Sequence, residues 1–170
     1  DRWLGDNCAI IRCMPNTPSL IQQGATGLFA NSSVTKEQLQ LAETILSATG
    51  MTVWVTDETQ LNAVTAVSGS GPAYFFLLME AIQKAGESLG LETDTVRQLT
   101  LQTALGAAQM AINSSDTPEE LRKKVTSKGG TTEAAINSLQ SNNFEKLVID
   151  ALTEASLCAA EMADILGKDQ

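Results

Sequence analysis

The sequence predicts two parts, a piece of an α/β sheet over residues 1–57 and an all-helical domain over residues 58–170. Three observations predict this. Short β-rich runs alternate with a single helix before about residue 60. Every segment after residue 57 has helical periodicity. Several of those helices are apolar on more than one face, which calls for packing against a second copy of the chain; a dimer is the natural inference.

The elements follow in order. Residues 9–14 (AIIRCM) read as a buried strand stopped by Pro15 and Pro18. Residues 25–30 (ATGLFA) read as a second strand and residues 52–55 (TVWV) as a third. Between these two, residues 35–48 read as a helix. Thr35 and Gln38 form its capping box, Leu39, Ala42, Ile45 and Leu46 its apolar stripe, and Gly50 its stop. Three strands and one helix are too few to close such a sheet, so the segment reads as the C-terminal part of a larger α/β domain. Residues 57–67 then read as a helix ended by a glycine turn. Residues 72–89 follow, closed by Gly90. Residues 93–112 carry Ala104, Gly106, Ala107, Ala108 and Ala111, small residues that let helices approach closely. Thr117 and Glu120 predict a capping box with Pro118 at the first helical position. Residues 131–139 and 144–166 complete the set.

Composition excludes several function classes. The net charge is −9, from 11 basic and 20 acidic residues, and no basic stretch interleaves with aromatics. Nucleic acid is therefore not an expected partner. No apolar run approaches a membrane span, and the first residues show no signal peptide. They lack Met and read as though the chain opens within a helix. Cys8, Cys13 and Cys158 make no CxxC pair, and with no histidine in the chain no metal site is expected. Sparse cysteines fit a reduced, cytoplasmic protein with buried thiols. The missing histidine also removes Ser-His-Asp and Cys-His nucleophilic mechanisms.

Two glycine-rich turns open helices: residues 68–72 (SGSGP) and residues 127–132 (SKGGTT). Such a turn offers unpaired amides at the positive end of a helix, which suits a small anion. Taken singly, each is more often only a well-capped helix start. Residues 14–18 (MPNTP) follow a strand directly, where open α/β sheets bind ligands, and equally read as a rigid proline-bounded turn. Glu80 reads as an ion-paired face residue, Arg122 to Lys124 as a solvated run, and Glu58 as a first-turn acid. The chain has no GxGxxG dinucleotide fingerprint.

In this order, residues 12–18 (RCMPNTP), 66–74 (AVSGSGPAY) and 125–132 (VTSKGGTT) resemble pyrroline-5-carboxylate reductase. The resemblance covers essentially the whole chain, and the last two motifs, with residues 105–110 (LGAAQM) between them, are specific to that family. It implies a Rossmann-type domain, present here as its C-terminal part, followed by an all-helical dimerisation domain; the family's first hundred or so residues have no counterpart. It also implies NADPH- or NADH-dependent reduction of 1-pyrroline-5-carboxylate to L-proline, the last step of proline biosynthesis, by dimers that often assemble into decamers. Ser127, Gly129, Gly130 and Thr131 would hold the substrate carboxylate, and Thr132 would hydrogen-bond the ring nitrogen and relay a proton to it. Glu58 matches an acidic position facing the product amine. Met14, Pro15, Asn16, Thr17 and Ser70 would border the nicotinamide. Lys128 stands where many members carry proline, and Lys124 where some carry asparagine.

Two other readings compete. A β-hydroxyacid dehydrogenase would place a catalytic lysine, then an asparagine, on the helix after the glycine turn. Here the first lysine of that helix is Lys84, with no asparagine after it in the helix. The chain would otherwise be a helical dimerisation module without activity of its own, and residues 1–170 alone are expected to show negligible reductase activity.

Overall fold

The computed structural model describes residue 4 and residues 8–167. The helical opening expected for the first residues lies outside those described. By compactness the chain divides into two units, Asp1–Tyr74 with Ile149–Gln170, and Phe75–Val148.

The first unit is built on three strands, β1 (Ile11–Met14), β2 (Gly24–Ala30) and β3 (Gly50–Trp54), in the order β1-β2-β3. β1 runs antiparallel to β2, with Met14 opposite Gly27, and β2 runs parallel to β3, with Leu28 opposite Trp54. A parallel pair needs a crossover, and α1 (Lys36–Ser47) supplies it. Its capping box forms as the sequence predicts: Thr35 Oγ1 accepts from Gln38 N–H, and Gln38 Oε1 accepts from Thr35 N–H. β2 is the central strand, so its residues reach zero exposure at Leu28. α2 (Gln60–Val64) lies against it, and the Val64 methyls fill the space that a side chain on Gly27 would need.

Three readings need correction. β1 is not a buried strand: Arg12 and Cys13 are exposed, because β1 pairs on one side only among the described residues. The cysteines are not buried either; Cys13 and Cys158 are exposed and Cys8 is half-buried. Residues 57–67 do not form one α-helix ended by a glycine turn. Asp57 accepts from the amide and hydroxyl of Thr59 ahead of α2, and after α2 the chain widens into a π-helical segment, Thr65–Gly69. There Ser70 N–H reaches back five residues to Thr65 C=O at 2.8 Å. Thr65 and Ser68 donate their hydroxyls to the carbonyls of Leu61 and Val64, four residues back. Such bonds compete with the helix ladder and loosen it. Periodicity cannot distinguish this from an α-helix, since the apolar face survives a one-residue widening.

The second unit is helical. It holds most of α3 (Gly71–Ser88), then α4 (Thr93–Ile112), α5 (Pro118–Lys124), α6 (Thr131–Ser141) and the start of α7 (Phe144–Gly167). α5 has its predicted capping box, Thr117 with Glu120. α3 and α4 meet where Gly86 faces Val96, one of the few buried side chains of this unit. Most large apolar residues here are exposed: Phe75, Phe76 and Leu77 on α3, and Leu99, Leu105 and Met110 on α4. In the first unit the α7 residues Ile149, Leu157 and Ile165 are exposed as well. Among the described residues no helix is long and apolar enough to cross a membrane.

Candidate functional site

The turn that opens α6 is set by what precedes it. Thr126 Oγ1 donates to Arg122 C=O at 2.6 Å as α5 ends, which closes that helix with a hydroxyl. Residues 127–130 then fold into a turn, closed by Gly130 N–H to Ser127 C=O at 3.0 Å. Its third residue, Gly129, has φ +73, a left-handed backbone that residues with a Cβ adopt reluctantly. Gly130 is the N-cap of α6 and has no side chain to cap it. Its amide is taken by Ser127, and the amide of Gly129 by Glu133 Oε2 at 2.7 Å. The amides of Thr131 and Thr132, first and second in α6, have no acceptor among the described residues, nor do the hydroxyls of Ser127, Thr131 and Thr132 make a hydrogen bond there. Two backbone donors and three hydroxyls therefore remain available at the positive end of an eleven-residue helix.

The nearby cations are mostly spoken for. Lys123 pairs with Glu119 one turn back, and Lys124 with Asp116. Those bonds hold the carboxyls of Glu119 and Asp116 below the usual carboxylate range, with the lysine hydrogen bond the main cause in each. Glu80 is ion-paired to Lys84 at 2.6 Å, as a face residue should be, and that bond lowers its pKa. Sequence reasoning missed Glu133. The sequence places it at the third position of α6, where a capping acid is expected, but which amide it reaches depends on the turn.

In the first unit, the strand-end motif and the glycine motif that begins at residue 68 come together. Asn16 follows β1 and spans both: its Nδ2 donates to Ser68 C=O at 3.1 Å, and its Oδ1 accepts from Ala25 N–H at 2.9 Å. Met14 Sδ lies 3.5 Å from the place a Cβ on Gly69 would occupy. Met14, Asn16 and residues 68 and 69 therefore share the carboxyl end of β1. Pro15 is exposed beside them, and Thr17 opens a 3-10 turn, Thr17–Ile21. Ser70 is half-buried and follows the π segment without a break, so it does not cap a separate turn. Glu58 sits elsewhere in this unit. It pairs with Arg12 of β1 at 2.6 Å, and both line a cavity of about 540 Å³ with Ile10, Phe29 and Ala163. Among the described residues no group of three or more acidic or cysteine side chains is placed to hold a metal ion.

Fold and site together define the class: part of a Rossmann-type α/β domain, with a proline-bounded loop at a strand end, joined to a helical domain in which a glycine turn leaves helix-opening donors open. The pyrroline-5-carboxylate reductase dimerisation family matches residues 58–162. A pyrroline-5-carboxylate reductase of Pseudomonas aeruginosa is 58% identical over 168 residues, covering 99% of this chain and 62% of that protein. The solved pyrroline-5-carboxylate reductase of Coxiella burnetii superposes with a TM-score of 0.92 at 53% identity, over 94% of this chain and 59% of that one. The Plasmodium falciparum pyrroline carboxylate reductase, solved with NADP bound, gives 0.87 at 30% identity, over 95% of this chain and 63% of that one. The chain belongs to the pyrroline-5-carboxylate reductase family. It spans about three fifths of the length of the Pseudomonas aeruginosa and Coxiella burnetii relatives, 62% and 59% in turn.

Proposed function

We propose that this chain serves the reduction of 1-pyrroline-5-carboxylate to L-proline with NADPH or NADH, as the cytoplasmic last step of proline biosynthesis. One observation carries the reading: the open amides and hydroxyls at the start of α6, within the segment that matches the family. The substrate is a small cyclic imine bearing a carboxylate. It needs an anion cradle, a donor at the ring nitrogen and a hydride source over the C=N carbon.

The 127–132 turn fits the first two needs. The amides of Thr131 and Thr132 and the hydroxyls of Ser127 and Thr131 receive the carboxylate, and Gly129 and Gly130 shape the turn that aims them. The Thr132 hydroxyl hydrogen-bonds the ring nitrogen and relays a proton to it as the imine becomes an amine. Glu58 faces the amine in this reading, with Arg12 holding its carboxylate.

The donor set at the end of β1 fits the reactive edge of a nicotinamide. Met14 offers an apolar surface beside Gly69, which has no side chain to obstruct approach. Pro15, Thr17 and Ser70 complete the border. Asn16 has both ends of its amide engaged, so it positions this border. The dinucleotide, when bound, supplies the hydride, and the protein orients the partners. The helical domain, residues 58–170, joins two copies through the exposed apolar residues of α3, α4 and α7, and dimers assemble further into decamers. Residues 1–57 form the C-terminal part of the dinucleotide-binding domain.

The test is Thr132→Ala in the full-length enzyme. Turnover should fall by roughly ten- to a thousand-fold, the range for loss of one positioned donor. Unchanged turnover removes Thr132 from the chemistry. Sedimentation of the wild-type chain checks the assembly, a monomer at micromolar concentration being the adverse result.

A further inference from the structure

Ser68 C=O sits where the helix has no amide to give it. In an α-helix its donor would be the N–H four residues ahead, and that residue is Pro72, which has none. A proline ring also crowds the carbonyl four residues back. The chain widens over Thr65–Gly69 at this place, which makes the amide five residues ahead the next in line. That amide belongs to Ala73, and it goes to Ser70 C=O at 3.0 Å.

The carbonyl is answered from outside the helix. Asn16 Nδ2, 52 positions away in the sequence, donates to it at 3.1 Å, while Asn16 Oδ1 holds Ala25 N–H of β2 at 2.9 Å. Beside this bond, Met14 Sδ and Thr65 Cγ2 lie 3.5 and 3.6 Å from the place a Cβ on Gly69 would occupy, so the loop after β1 and the π segment are in close contact. A proline near a helix start ordinarily needs no further account, since the amide it lacks is unpaired there anyway. Here the missing amide leaves an acceptor facing the loop after β1.

We propose that Pro72 is a positioning residue for the border of the nicotinamide, on the reading of that loop given in the preceding subsection. By withholding an amide from Ser68 C=O it reserves the carbonyl for Asn16, and Asn16 then fixes the loop against residues 68 and 69. Pro72 acts through Asn16 and not by contact with the cofactor. An alanine at position 72 restores an amide within the helix, which competes with Asn16 for the carbonyl and releases the loop. A proline that only opens α3 predicts otherwise: its loss would leave the KM for the cofactor alone, or degrade every property together.

The experiment compares the full-length enzyme as wild type, Pro72→Ala, Asn16→Ala and the double variant, by steady-state kinetics with NADPH and the imine and by thermal melting. Pro72→Ala should raise the KM for NADPH about three- to tenfold, the size of one neutral hydrogen bond. Its KM for the imine should stay within about twofold of wild type. Its melting temperature should hold or rise, because the helix gains a donor and loses a ring. Asn16→Ala should raise the KM for NADPH at least as far, and the double variant should be no worse than Asn16→Ala, since both changes cut the same bond. A wild-type KM for NADPH in Pro72→Ala, additive effects in the double variant, or a joint decline of both KM values and the melting temperature overturns the role of Pro72. The cofactor reading survives any of these as long as Asn16→Ala raises the KM for NADPH. A wild-type KM for NADPH in Asn16→Ala overturns the cofactor reading, and this inference with it.

Discussion

The contact between α3 and α4 makes a quantitative prediction. Gly86 lies near the end of α3, and a Cβ placed on it would sit 2.0 Å from Val96 Cγ2 and 3.2 Å from Val96 Cβ. Ordinary carbon contacts are about 3.5–4.0 Å, so Gly86→Ala drives a methyl well into Val96. Val96 is 4% exposed, and a β-branched residue in a helix has one strongly favoured rotamer. It cannot swing aside, so the helices must separate. Overpacking of this kind costs roughly 1–3 kcal/mol, against a gain of up to about 1 kcal/mol from replacing glycine in a helix. The net loss of about 1–2 kcal/mol should lower the thermal midpoint by roughly 2–8 °C. Calorimetry of four proteins (wild type, Gly86→Ala, Val96→Ala and the double variant) closes a mutant cycle. In the Val96→Ala background, Gly86→Ala should become neutral or stabilising, giving a coupling of roughly 1–3 kcal/mol. A Gly86→Ala protein that melts higher than wild type would refute the reasoning, because it would mean that α3 and α4 do not meet there.

Other predictions concern the site, the assembly and acid stability. Gly129→Ala meets no steric obstacle and acts through its φ of +73 alone. It should cost about 1–2 kcal/mol in turn geometry and raise KM for the imine roughly tenfold in the full-length enzyme; an unaltered KM would mean that the turn does not receive the substrate. Gly106→Ala, in the middle of α4 with open space around it, should stabilise an isolated chain by up to about 1 kcal/mol. If α4 packs on a partner at Gly106, the same change should weaken dimerisation in sedimentation runs, and tighter association would exclude that face from the interface. Asp116, Glu119 and Glu120 have pKa values below those of the unfolded chain, through bonds from Lys124, Lys123 and Thr117 in turn. Their contribution is present above the unfolded values and is lost as pH falls through the folded ones. Melting of α5 below about pH 4 should therefore be blunted in Asp116→Asn/Glu120→Gln relative to wild type; identical acid profiles would refute this.

Much of the fold is legible in the sequence because the signals are local. Thr35 with Gln38 and Thr117 with Glu120 are four-residue motifs whose geometry needs only a helix to follow, and both capping boxes form. The three strands carry short apolar runs bounded by proline, glycine and polar residues. The motif spanning residues 125–132 marks the turn before α6 in the same local way, since a glycine pair before a helix declares its turn. The π segment at Thr65–Gly69 escaped because a shift from four-residue to five-residue spacing leaves composition unchanged.

The sequence by itself determined the order of strands and helices, their caps and the place of the glycine turn before α6, because each depends on neighbours a few residues apart. Only the tertiary structure decided which strand is central, that Asn16 joins β2 to residue 68, that Arg12 meets Glu58 across 46 positions, and that Glu133 answers Gly129 while Gly130 answers Ser127. Such pairings arise when the folded backbone brings a donor and an acceptor within about 3 Å. A list of residues does not encode that distance until the chain has closed.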